Sequence, residues 1–490
     1  MGLIRFLVPD RQRLPATATK RAYLTGMDEV PWSCHVIETD EGFNVVRAVD
    51  DSGCFHIPWQ VEGYGETTLS TATLMERERP YLLEVELARG TINRVRNRLA
   101  EWAVHDLQVP EAMQAKLGEA IATFSRAVVA QSDAVEAGRI AQEALAQILP
   151  LTTEIARTFA DAMIKNRRKT TPQLTTLLGA DMGNAAMSEP LARGFLDAFN
   201  TAVVPMSWHD IEVREGEKDW SRTDAQIDWC TANGLRICGG PLLKFDRASV
   251  PDWLYLWEGD EETIFSLMIE NVRERVARYR QRVHVWQCAS RLITGSLLGL
   301  SQEQRMRMTI RAVEVARQID GQTPMVVTFD QPWGEHAARN EMDLPLHFAD
   351  ALTRSNMGLA GIGLEINLAY HPGGTLHRNA MEFSRQLDRW AVLGLPLMVS
   401  LAVPSGTTAN AGVRRPDELS AGSWTAERQA EWTRDFLPII LSKPSVQAVV
   451  WNQLRDDIPH DFACGGLVDA AGNVKPALAQ LAATRGELLM

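Results

Sequence analysis

The sequence holds no Cys-x-x-Cys pair, no run of about 18 apolar residues and no phosphate-binding glycine motif. Its six cysteines lie scattered at 34, 54, 230, 238, 288 and 464. In a 490-residue chain that pattern reads as buried reduced thiols, not a disulfide framework or a zinc site. No other metal-ligand spacing occurs, so neither a metal nor another cofactor is expected. The missing apolar run speaks against a membrane-spanning helix. The stretch from Met1 to Asp10 is too briefly apolar for a signal-peptide core, and no small-residue cleavage site follows, so the expected compartment is cytoplasmic. Positive charge is the minority: 50 Lys and Arg stand against 62 Asp and Glu, a formal net charge of −12. That balance argues against nucleic acid or an anionic membrane as partner. Tyrosine is scarce, at 6, whereas tryptophan reaches 14. Trp serves core packing and also stacks on flat apolar ligand faces, so its placement decides which role it has.

At about 150 residues per domain the length suggests three domains, or one large barrel with attachments. Residues 1–95 carry short β-branched and aromatic runs bounded by Gly, Asp and Pro, among them 34–37, 43–49 and 81–87. They predict a small β-rich, sandwich-like domain. Residues 96–170 turn helical. Met113, Leu117, Ala120, Ile121, Phe124 and Val128 repeat with a 3.6-residue period, and Pro150 is expected to separate one helix from the next. The apolar stripe suits either packing on the rest of the chain or a homo-oligomer face.

From 171 to 490, strand-like and helix-like segments alternate. Apolar runs at 174–178, 201–204, 235–238, 283–286, 325–329, 361–364, 397–401 and 446–451 make eight. Eight β/α units in about 320 residues is the arithmetic of an α/β fold, the (β/α)8 TIM barrel, whose active site lies at the C-terminal strand ends. Several residues stand at or just past those ends. Glu365 ends the sixth run; Asp330 ends the fifth, with Glu335 and His336 in the loop beyond. Asp181 follows the first, and Trp208, Trp286, Trp333 and Trp451 fall near four ends.

The motifs around these ends resemble glycoside hydrolase family 10, the endo-xylanase family. Phe199-Asn200 followed by Trp208, Ile211-Glu212 and Gly216 is similar to the family's F-N…N-E-M-K-W-x-x-I-E-P-x-x-G. Asn233-Gly234-Leu235-Arg236 with Gly239 and Leu242 resembles N-G-L-x-v-R-G-H-x-L-x-W, and Val250-Pro251-Asp252-Trp253 the x-P-x-W after it. Arg278-Tyr279 with Val283 and Trp286 resembles R-Y-x-x-x-v-x-x-W-D-V-V-N-E. Gly361-Ile362-Gly363-Leu364, Gly394-Leu395-Pro396 and Lys475-Pro476-Ala477 are similar to the sixth strand, the approach to the seventh and the closing K-P-A.

The resemblance implies a carbohydrate ligand, and its departures are as informative as its matches. A retaining glycosidase needs two carboxyl groups about 5–5.5 Å apart, one as nucleophile and one as acid/base. The family's acid/base Glu aligns with Arg291, and its nucleophile Glu with Leu401, after Ser400. The sugar-binding Lys aligns with Ser207, the His of R-G-H with Gly240, the Trp beyond it with Lys244, and the sixth-strand Gln and His with Glu365 and Asn367. No Asp or Glu lies in 284–295 or 392–414, so a small register slip restores neither carboxyl. Arg holds its proton near neutral pH and Leu is no nucleophile.

Two expectations follow. In one, the protein is a glycoside hydrolase with a non-standard pair, Glu365 with Asp330 or Glu335, as general acid and base. In the other it is an inactive family-10-like barrel that binds carbohydrate or a protein partner, with Arg291 neutralising Glu365. Trp208, Trp286, Trp333 and Trp451 are the candidate sugar platforms, with Arg291, Asn367 and His336 as polar ligand contacts.

Overall fold

The computed structural model describes residues 2–48, 50–104, 109–335, 344–355, 357–407, 412–414, 418–419 and 424–489. Its first unit is two four-stranded sheets face to face. One orders Cys34–Glu38, Gly42–Arg47, Gly2–Leu7 and Tyr81–Leu82; the other orders Pro31–Trp32, Tyr23–Thr25, Cys54–Val61 and Gly65–Ser70. Alternation along Gly2–Leu7 turns Ile4 and Phe6 inward, and Phe6 stacks on Phe55 of the opposite sheet at 5.1 Å between ring centroids. The sandwich is shorter than the sequence suggests. The run 81–87 is strand only at Tyr81–Leu82 and then becomes helix α1 (Leu83–Ala103). Leu83, Leu87 and Ala88 lie on one helical face that continues to Ile92 and Val95, all buried. With Glu and Ala between them, that 3.6-residue period outweighs the short alternation.

Helices α2 (Glu111–Val129) and α3 (Ala134–Arg167) follow. Asp133 caps α3 by accepting from the backbone N–H groups of Val135 and Glu136. Pro150 does not divide it. A proline inside a helix costs about 3 kcal/mol, but Ile148, Leu149, Leu151 and Ile155 are buried on both sides and hold the helix continuous. The helical segment lies against the barrel's outer layer. Arg157 Nη1 meets Asp435 at 3.0 Å, Arg167 Nη1 donates to the Leu441 carbonyl at 2.7 Å, and Arg98 pairs with Asp388.

Eight parallel strands then close a barrel: β1 (Leu177–Asp181), β2 (Thr201–Val204), β3 (Arg236–Gly239), β4 (Val285–Ser290), β5 (Met325–Asp330), β6 (Gly361–Asn367), β7 (Leu397–Ala402) and β8 (Val446–Trp451). β8 pairs with β1, and β3 with β4, so no barrel strand is left with an open edge. A helix follows every strand among the described residues, from Glu189–Ala198 after β1 to Pro476–Leu488 after β8. This is the TIM barrel that the eight runs predict, with β1 three residues later than expected and β4 extending four residues past its predicted end.

Candidate functional site

Strand alternation builds the site in layers. Inside the barrel, Val203, Cys238, Val326, Met398 and Val450 form a small apolar cluster. Two residues further along β5, β7 and β8 the inward positions are Thr328, Ser400 and Asn452; Gln287 on β4 and Glu365 on β6 complete a polar layer. Gln287 Nε2 donates to Thr328 Oγ1 at 2.7 Å. A Cβ at Gly363, the inward position of β6 beside Thr328, would collide with that side chain, so glycine is needed there. Above this layer a cleft opens at the C-terminal strand ends, with about 1260 Å³ of open space counted to its mouth.

The same alternation sends other residues outward. Leu401 joins the main apolar core behind the barrel, while Ser400 faces the cleft. The cleft-facing residue of β7 is therefore a serine, one position before the residue aligned by sequence. Trp286 is fully buried near the start of β4, where its Nε1 donates to Asp320 at 2.9 Å. Trp451 is buried too and donates to the Gly465 carbonyl at 2.9 Å. Trp333 sits edge-on to Phe383 with ring centroids 6.1 Å apart. None of these three lines the cleft. Their place near a strand end was legible, but strand phase and packing aim them into the core. Trp208 does line it, with Nε1 donating to Glu212 at 2.9 Å.

Glu365 and Arg291 also line the cleft, and they meet. Arg291 Nη2 lies 2.9 Å from Glu365 Oε1, with both side chains under a tenth exposed. The same oxygen accepts from Asn367 Nδ2 at 2.8 Å, and Asn452 Nδ2 donates to Asn367 Oδ1 at 3.0 Å. Asn367 thus stands behind Glu365 and not in the cleft wall. Arg291 has φ 59°, an unusual left-handed backbone for a branched-length side chain, which costs on the order of 1–3 kcal/mol. Its guanidinium lies 5.4 Å from the Phe462 ring centroid. Burial works against its charge, but Glu365, Asp330, Asp461 and Asp246 together raise its pKa above the ordinary value. Its Nε and Nη1 are buried without an acceptor, at a desolvation cost of about 1–3 kcal/mol for such a group.

The other expected carboxyls are elsewhere. Asp330 is fully buried and serves the loop after β4. Its Oδ1 accepts from Ile293 N and its Oδ2 from Thr294 N, each at 2.9 Å, and the Thr294 hydroxyl donates to Oδ2 as well. Glu335 points to the junction with the N-terminal sandwich. It accepts from Arg378 Nη1 at 2.5 Å and Leu376 N at 3.3 Å, while Arg378 Nη2 donates to the Tyr23 hydroxyl. Burial pushes that hydroxyl up to about 12. The expected pairing of Glu365 with Asp330 or Glu335 across one cleft is therefore corrected: only Glu365 is there. His336 lies outside the described residues.

Sequence reasoning passed over a second charged group. Lys244 Nζ sits 2.7 Å from Asp461 and 3.2 Å from Asp246. Burial disfavours its charge, yet the two carboxylates raise its pKa above the usual lysine range. Asp181, at the end of β1, has no ion-pair partner among the described residues; it accepts from Gly183 N at 2.8 Å, and burial raises it to about 6. Arg275 donates to the Met206 and Leu242 carbonyls, and burial lowers it to about 9. Lys244 was visible as the residue standing in for an aromatic, but Asp461 comes ten residues past β8 in a loop without periodicity. Among the described residues no cluster of three or more His, Cys, Asp or Glu could hold a metal, and no helix is long and apolar enough to cross a membrane.

With this geometry in place, comparison with known proteins adds the following. Residues 177–482 match the model of glycosyl hydrolase family 10. Endo-1,4-beta-xylanase B of Thermotoga neapolitana is 22% identical over 289 residues, covering 56% of this chain and 77% of that protein. Endo-1,4-beta-xylanase C of Paenibacillus barcinonensis is 23% identical over 297 residues, covering 54% of this chain but only 26% of that protein. Native xylanase 10B of Thermotoga maritima is a structural neighbour at 15% identity, with a TM-score of 0.49 over 64% of this chain and 96% of that one.

Proposed function

The chain belongs to glycosyl hydrolase family 10, and we propose that it holds a carbohydrate in its barrel cleft without cleaving it by the paired-carboxylate route. One observation carries this reading: the buried Arg291–Glu365 ion pair inside the cleft. Hydrolysis with retention needs two carboxyls about 5–5.5 Å apart, one deprotonated and one able to give a proton. Glu365 is bound to a guanidinium and an amide instead, and the cleft-facing residue of β7 is Ser400. Asp330 and Glu335 are committed to a loop and to an inter-domain contact. The cleft retains what binding requires: polar groups in a ring above an apolar floor, with Trp208 in one wall. The related xylanases support a β-linked polysaccharide or oligosaccharide as the ligand class.

A second reading rests on Asp181. Among the described residues it is the cleft carboxyl without a cationic partner, and a value near 6 suits a proton donor. Hydrolysis would then run from Asp181 with Glu365 or Asp461 as the second carboxyl.

The test is a screen of aryl glycosides and polysaccharides with wild type, Glu365→Gln and Asp181→Asn, beside calorimetric titration with oligosaccharides. The binding reading expects saturable binding with no turnover. Turnover lost in Asp181→Asn would replace it with the second reading. Turnover lost in Glu365→Gln alone would restore the catalytic role of Glu365.

A further inference from the structure

We infer that the cleft selects an anionic saccharide, a sugar chain bearing a carboxylate or phosphate that Arg291 and Arg414 receive. This deepens the binding reading above and rests on it. Much of the unfilled hydrogen-bonding capacity of the cleft is donor capacity on arginine. Asp246 and Asp461 share Lys244, and Glu365 has Arg291 and Asn367. Arg291, by contrast, spends one nitrogen on Glu365 and keeps Nε and Nη1 without an acceptor while nearly fully buried in the cleft wall. Arg414, in the loop after β7, lines the cleft, exposed and in no ion pair among the described residues. A neutral sugar hydroxyl can accept from a guanidinium, but an anionic oxygen does so more strongly and in a matched, forked geometry.

The charge distribution agrees. The chain carries 12 more acidic than basic residues, yet the cleft wall does not share that excess. Its carboxylates Asp181, Asp246, Glu365 and Asp461 are matched by Lys244, Arg275, Arg291 and Arg414, with Arg455 turned to Asp457 outside. Arg275 is held by three carbonyls, those of Asn271, Met206 and Leu242, so its contribution there is positive charge and not a free donor. Arg291 also stands where the family pattern places its proton donor. A residue of the opposite charge there converts the centre of the cleft from proton transfer to anion recognition.

The test is calorimetric titration of the full chain with four probes: a neutral xylo-oligosaccharide, the same oligosaccharide carrying glucuronic acid, glucose 6-phosphate, and inorganic phosphate. The acidic oligosaccharide is expected to bind at least about tenfold more tightly than the neutral one, a margin that Arg414→Ala removes and that shrinks as salt rises. Arg291→Gln is expected to act likewise, and Arg414→Ala, an exposed site, answers the objection of misfolding. A preference for glucose 6-phosphate over the acidic oligosaccharide supports anion selection with phosphate as its source. Equal binding of neutral and acidic oligosaccharides overturns the inference and leaves the carbohydrate reading standing. Binding of inorganic phosphate with no sugar at all overturns the inference, and binding of none of the four overturns both.

Discussion

Two buried arginine–glutamate pairs in this protein look alike on paper and differ in what surrounds them. Arg378–Glu335 joins the barrel to the N-terminal sandwich, and both terminal guanidinium nitrogens are used: Glu335 and the Leu376 carbonyl take one, and the Tyr23 hydroxyl the other, while the unfilled atom of the pair is Glu335 Oε2. Arg291–Glu365 borders an open cleft and leaves two guanidinium nitrogens without acceptors. Burial alone therefore does not mark a functional charge, because breaking a buried pair away from open space damages the fold. Unfilled capacity beside open space marks the site.

The contrast can be broken most forcefully at the sandwich junction. Arg378→Met should destabilise the protein by about 3–5 kcal/mol, because it strands Glu335 in a buried contact. Chemical denaturation reads this directly, and a loss below about 1 kcal/mol would show that the junction pair is not structural.

A third buried acid sharpens the comparison because it has no cationic partner among the described residues. Glu84 on α1 is fully buried, and burial raises its carboxyl to about 7. An unfolded Glu ionises at about 4.3, so the fold accepts the neutral form. Its contribution is whole below the unfolded value and is lost as pH rises from there toward about 7. Glu84→Gln should therefore raise stability by about 2–3 kcal/mol at pH 8 and scarcely at pH 4. Equal gains at both pH values would contradict this assignment.

Arg291→Met should cost less than the junction mutation, about 1–2 kcal/mol, because water from the cleft can reach the released Glu365 and Asn367 still donates to it. A loss matching that of Arg378→Met would make the two pairs equivalent. The smallest effect belongs to Asp181. As pH rises through about 6 it becomes charged, so an anionic saccharide should bind about two- to threefold more weakly above that pH. Asp181→Asn should flatten that dependence in a calorimetric series from pH 5 to pH 7.5.

The barrel was legible because its eight apolar runs are short, regularly spaced and separated by helical periods, and all eight became strands. Its site was legible only in part. Glu365 was legible from its place at a strand end and Arg291 from the family resemblance, and the cleft brings them together. The tryptophans show why proximity to a strand end is not enough. Trp286 and Trp451 have the strand phase that faces the helices, and a one-residue difference in phase decides core or cleft. Leu401 and Ser400 make the same point on β7. Lys244, Asp246 and Asp461 come from two loops far apart in sequence, and only the closed barrel makes them neighbours. At the N-terminal edge, 81–87 alternates like a strand over a few residues and repeats like a helix over many, and the longer pattern governs.

The most direct measurement is chromatographic analysis of a xylo-oligosaccharide incubated with the purified full chain, beside a calorimetric titration of the same sample. The account predicts an unchanged oligosaccharide profile together with saturable binding. Shorter products formed by wild type and absent with Glu365→Gln would contradict it.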